Sequence, residues 1–244
     1  MIPVAQCGGQ VGRDGRIPGL DYKALEAAYT DPRVWDSVSP HKITLNSPDP
    51  QAIRPPDGKA NELLVTLPTN FKCAKFEDAR DTQIVRNLEN DVDRARFKIS
   101  GDEIELPVKL KAYDSIWVPL AKWSMLLAGN YRCITRDGIR TAQEAVHSDI
   151  EESRSVYNFV FDLCVKLGAN PSDLVPFERY AAAAQSLSRP ASAARALQNG
   201  APNIERTDKL VQLIALQKGF RHPLIDAQVA LIDTRLAANR KAAA

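Results

Sequence analysis

From Trp117 to the C-terminus, apolar residues recur at helical spacing and each run stops at glycine or proline, which restricts this half of the chain to packed helices. Thr141 with Glu144 forms a capping-box pattern that opens a long helix. Its stripe runs Ala145, Val146, Ile150, Tyr157, Val160, Phe161 and Cys164, and Gly168 followed by Asn170-Pro171 ends it. A shorter helix is expected over 177–187. Pro190 starts another, which stops at Asn199-Gly200. A helix over 204–218 closes at Gly219, and a last one after Pro223 runs into an Ala-rich tail.

The first half has a different texture. Residues 2–5, 42–45 and 63–67 are short strand-type runs, and 97–100 with 103–111 flank Gly101-Asp102 as a hairpin. In the second arm Ile104, Leu106, Val108 and Leu110 share one face. Helices fit 21–29 and 81–92, the latter with Ile84, Val85, Leu88 and Val92 as its stripe, whereas Ser47-Pro48-Asp49-Pro50 and Arg54-Pro55-Pro56-Asp57-Gly58 read as loops. The change in pattern near residue 111 predicts two domains, 1–111 and 112–244.

Composition narrows the function classes. A chain of 244 residues with 44% hydrophobic and 25% charged residues has material for a large core. A net charge of +2 gives no electrostatic footprint for nucleic acid or anionic lipid. No apolar run approaches membrane-spanning length and no leader pattern precedes the first strand, so the expected compartment is the cytoplasm. Cys7, Cys73, Cys133 and Cys164 are scattered and the only histidines are His41, His147 and His222, so no metal site is expected. Cys164, inside an apolar run, reads as a buried small hydrophobe.

Two polar residues interrupt the apolar stretch 117–133, Lys122 and Asn130. Eight residues apart on an α-helix they lie within about 80° of one another, close enough to line one cleft. Near the N-terminus, Cys7-Gly8-Gly9-Gln10-Val11-Gly12 follows a strand and looks like a dinucleotide-binding turn, with Gly8 and Gly9 as the residues that would approach a phosphate. The residues after it, Arg13-Asp-Gly-Arg-Ile-Pro-Gly19, do not open the long helix such a turn needs.

From Lys122 onward the chain resembles the ketopantoate reductase family, over roughly residues 95–240. The resemblance rests on Lys122 with Asn130, the long helix ending at Gly168, the serine-containing helix at 188–197, the acidic helix start at Asn203-Ile-Glu205 and the Gly219-Phe-Arg-His-Pro223 approach to a terminal helix. Met1 to Gly8 and Arg13-Asp14-Gly15 resemble segments late in that family's nucleotide domain. Cys7 stands where the family has a substrate-contacting Asn, and Leu126 where it has an Asn between the Lys and the later Asn.

The resemblance implies an α+β/α fold: an incomplete Rossmann-like α/β part, then an all-α domain of the 6-phosphogluconate-dehydrogenase-like type. It also implies hydride transfer between NAD(P) and a small 2-oxo or hydroxy acid. Lys122 would be the general acid, with Asn130 as its catalytic companion and Ser192 and Glu205 holding substrate. The missing phosphate-binding half would come from a second chain, or the protein would be a homo-oligomer. The competing expectation is a non-catalytic interaction or assembly protein on a degenerate reductase scaffold.

Overall fold

The computed structural model describes residues 2–3, 15–48, 52–53, 55, 57–62, 64–65 and 69–243. Strands β1 (Ile2–Pro3), β2 (Leu45–Pro48), β3 (Ala52–Ile53), β4 (Leu64–Val65), β5 (Thr69–Ala74), β6 (Arg96–Ile99), β7 (Asp102–Glu105) and β8 (Val108–Tyr113) form three sheets. The largest has the order β1-β2-β5-β8, with β1 parallel to β2, β2 antiparallel to β5, and β5 parallel to β8. β3–β4 and β6–β7 are separate antiparallel pairs.

Helix α1 (Tyr22–Leu25) is a single turn, capped by Asp21 and continued by the 3-10 turn Glu26–Ala28. Helix α2 (Ala79–Arg94) joins β5 to β8 and packs on β8, so β5-α2-β8 is a βαβ unit with the β6–β7 hairpin set into its return. Cys73, Val85 and Leu110 bury its interface, and the Glu89 carboxylate accepts the Ala112 N–H on the edge strand at 2.9 Å. Val85 faces the sheet as expected. Ile84 and Leu88 do not, at 66% and 44% exposed, because the row 82, 85, 89 already fills the sheet side.

Three expectations for this half are corrected. Strand character begins at Leu45, after a 3-10 turn at Pro40–Lys42, and continues through Ser47 and Pro48, which pair with Lys72 and Phe71. Pro48 is tolerated at the strand's last position, where losing one donor matters least. The arm expected over 103–111 is two strands: Pro107 breaks it, β7 pairs with β6, and β8 leaves to join β5. Ile104 is accordingly exposed while Leu110 is buried.

The second half is helical: α3 (Trp117–Leu120), α4 (Lys122–Met125), a π-helical turn at Leu126–Asn130, α5 (Ala142–His147), α6 (Ile150–Lys166), α7 (Phe177–Ala184), α8 (Ser192–Gln198), α9 (Thr207–Gln217) and α10 (Pro223–Ala243). Both halves of the Thr141–Glu144 capping box are present. The expected continuous helix beyond it is divided at Ser148-Asp149, because the Asp149 carboxylate accepts the Glu152 N–H at 2.9 Å and caps a new helix. Gly168 and Gly219 end their helices at φ of +110° and +77°. No described helix is long and apolar enough to cross a membrane.

One buried cluster joins the parts. Ile17, Leu25, Leu45 and Ala74 pack with Trp123, Tyr157, Val160, Leu210 and Ile214, so the core runs across the boundary near residue 111. α1 docks on α9, where Gln217 bonds both the N–H and the C=O of Asp21 and Lys218 Nζ donates to the Gly19 carbonyl at 2.8 Å.

Candidate functional site

Lys122 opens α4, two residues beyond the end of the helix that packs on β2 and β5, and is half-buried. Asn130 is the last residue of the π turn and is also half-buried. The Tyr131 N–H reaches back to the Leu126 carbonyl, five residues away rather than four. Such a turn takes in one extra residue without extra rotation, so the nominal offset between Lys122 and Asn130 falls from about 80° to about 20°. The pattern over 117–133 suggests one regular helix; its actual course is two short helices and a widened turn.

Gly129 makes the widening possible. A Cβ there would lie 1.9 Å from the Tyr180 hydroxyl oxygen, and that hydroxyl donates to the Met125 carbonyl at 3.1 Å. Tyr180 thus satisfies a helix carbonyl from outside, through space that only glycine leaves open.

Next along the chain, the buried Tyr131 ties this turn to the start of α9. Its hydroxyl donates to the Glu205 carbonyl at 2.8 Å and accepts from the Thr207 N–H at 2.8 Å. Glu205 is half-buried, and its carboxyl oxygens have no hydrogen-bond or ion-pair partner among the described residues. Burial pushes this carboxyl up to about 7. The neighbouring acids are neutralised by contrast: Arg206 Nε and Nη2 form a forked pair with Asp208 at 2.9 Å each, and Asp233 takes Arg206 Nη1 and Lys209.

Ser192 begins α8 and is exposed; that helix packs on the π turn and on the turn Tyr131–Cys133. The segments carrying Asn130, Ser192 and Glu205 therefore meet around Tyr131. Sequence reasoning missed Gly129, Tyr131 and Tyr180, whose one visible signal was a glycine inside an apolar helical run.

Gly8 and Gly9 lie outside the described residues. The other place where this fold could seat a pyrophosphate is the N-terminus of α2, directly after β5. That end is acidic: Asp78 caps the helix, Asp81 sits in its first turn and Glu77 precedes it. Lys42 pairs with Asp81 at 2.6 Å, and His41 with Glu77. A helix end already filled by carboxylates repels a diphosphate, so the described residues do not fit a nicotinamide dinucleotide there. Cys73, Cys133 and Cys164 are buried thiols, with Cys164 pushed up to about 12 by burial. No group of three or more metal-binding side chains occurs among the described residues.

No family model matches the sequence, and no curated protein matches it. Among solved structures the chain is similar to D-mandelate dehydrogenase, in its ternary structure with NADH and anilino(oxo)acetate, at a TM-score of 0.58 and 9% identity. The likeness covers 85% of this chain and 64% of that one. It is a likeness of fold. The chain has a mixed α/β fold with a small sheet and many helices, similar to the fold of that dehydrogenase.

Proposed function

We propose that the chain is the substrate-binding and proton-handling part of a nicotinamide-dependent oxidoreductase acting on a small 2-oxo or 2-hydroxy acid. The observation that carries this reading is Glu205, whose half-buried carboxyl has no partner among the described residues and is pushed up to about 7 by burial, and whose backbone carbonyl is held by Tyr131, next to Asn130. Carboxyl groups perturbed by burial cluster at functional sites. A 2-oxo acid needs its carboxylate held and its ketone oxygen protonated as it is reduced. Lys122 stabilises the developing alkoxide and supplies that proton, and Asn130 and Ser192 orient the substrate. Glu205, protonated for part of the time at neutral pH, donates a hydrogen bond to it.

The ketopantoate reductase resemblance and the dehydrogenase-like fold support the reading together. With acids at the start of α2, the nucleotide contacts of this reading would come from Gly8 and Gly9 or from a second chain. The same acids favour the competing reading, a non-catalytic assembly protein. The two are separated by mixing the purified chain with NADH or NADPH and a panel of small 2-oxo acids, following nicotinamide absorbance and substrate NMR line widths. Reduction, or broadening that disappears in Lys122→Met, supports the enzyme. A folded chain that neither reduces nor broadens any of them overturns it.

A further inference from the structure

A cavity of about 220 Å³ lies between α6, α10 and the segment from Leu127 to Arg140. Leu127, Val156, Leu224 and Leu231 give it an apolar interior, while Arg132 and Arg140 bring two guanidinium groups to the same wall. Arg132 is only 8% exposed and uses Nη2 on Glu152 at 2.8 Å; its Nε and Nη1 have no partner among the described residues. Arg140 donates Nε to the Arg132 carbonyl and Nη1 to Ser148, leaving Nη2 without one.

One acid of the cavity lining, Glu152, pairs with Arg132, so the two guanidinium groups share one directly paired carboxylate. The Glu152 side chain is 47% exposed and shares its charge with water, Glu144 is held in the Thr141 capping box, and Asp208 has both oxygens on Arg206. Burial first, and then the charge of Arg132, hold the Arg140 guanidinium below its ordinary value, with Glu152 and Glu144 acting against them. The guanidinium N–H groups that no protein acceptor takes are open to solvent, and with the apolar side chains of the same lining they suit a carboxylate with a hydrophobic body. At about 30 Å³ per water, the cavity displaces roughly seven waters, which sets the guest at about ten heavy atoms or fewer.

We infer that this cavity is a binding site for a small amphipathic monocarboxylate, with the carboxylate on Arg132 and Arg140 and the apolar body between α6 and α10. Its lining includes Leu127 and Tyr131 from the turn that carries Asn130, but neither Lys122 nor Asn130, and it does not depend on the chemistry proposed there.

Benzoate is the probe, with benzamide as its uncharged counterpart, titrated calorimetrically into the full chain and its variants. Benzoate is expected to bind with Kd of about 1 mM or tighter, and benzamide at least tenfold more weakly. Arg140→Gln, at a half-buried position, should weaken benzoate at least tenfold. Leu231→Trp should fill the cavity and abolish binding, and Lys122→Met should leave it intact. The inference is overturned if benzoate gives no saturable heat up to about 10 mM. It is equally overturned if benzamide binds as well, if Arg140→Gln binds like the parent, or if Lys122→Met removes the site. Should the tryptophan variant not fold, Arg140→Gln and benzamide still decide the matter.

Discussion

Glu205 carries a stability signature with a definite sign. Its carboxyl is pushed by burial from an ordinary 4.5 to about 7, so between those values the folded chain holds a proton that the unfolded chain releases. Stability contributed at this position is therefore present at low pH and lost as pH rises through that window. Glu205→Gln removes the penalty. The variant should be more stable than the parent by about 2 kcal/mol at pH 8, after discounting for partial hydration, with the difference vanishing below about pH 4.5. Urea titrations at several pH values measure it; a pH-independent difference would mean that the carboxyl is not perturbed. Lys122 is tested on function instead. Lys122→Met should lower turnover of a 2-oxo acid by about two orders of magnitude, the scale of losing a general acid, with an unchanged circular dichroism spectrum. The Lys122–Asn130 pair stood out in the sequence because a charge and an amide interrupt an apolar run. Arg132 and Arg140 did not, since an arginine in a turn signals nothing until the fold closes two helices over it.

The π turn is the element on which the candidate site depends, and it can be tested through its glycine. Gly129→Ala places a Cβ against the Tyr180 hydroxyl, so one of them must move. The expected cost is about 2–3 kcal/mol, or a fall in Tm of several degrees for a chain of this size. Tyr180→Phe alone should cost about 1 kcal/mol through the lost bond to the Met125 carbonyl. The double variant should be less destabilised than the sum of the two, because removing the hydroxyl makes room for the methyl. Strict additivity in that cycle would show that the hydroxyl does not occupy the space above Gly129. Local rules misjudged this region for a clear reason. A π turn has no residue code of its own, and here its energy comes from Tyr180, which is remote in sequence. The break at Ser148-Asp149 is the opposite case: an Asp able to cap was visible in the sequence, but continuous apolar periodicity on both sides concealed it.

At the scale of the fold, the acids around the start of α2 lead to a prediction about the cofactor. With Glu77, Asp78 and Asp81 at that helix end, the isolated chain should bind NADH with Kd of about 1 mM or weaker in a fluorescence titration. Micromolar affinity would instead place the phosphate site at residues 4–14, around Gly8 and Gly9. Helical character and the glycine and proline stops of the second half were legible in the chain, because caps, glycines and 3.6-residue periodicity act within a few residues of one another; the number of helices was not, since the runs 117–133 and 142–166 are each divided. Burial of Cys164 was legible for the same reason. Strand partnership was not, since β8 leaves its apparent hairpin to pair with β5, and Ser47-Pro48 becomes strand only because β5 lies beside it. Nor was the union of the two halves through Ile17, Leu25 and the Gln217–Asp21 bonds. Periodicity states that a face must be buried, whereas only the folded chain selects the partner that buries it. The cavity beneath α10, the approach of Arg132 and Arg140 to its wall, and the raised Glu205 carboxyl all arise from those long-range choices.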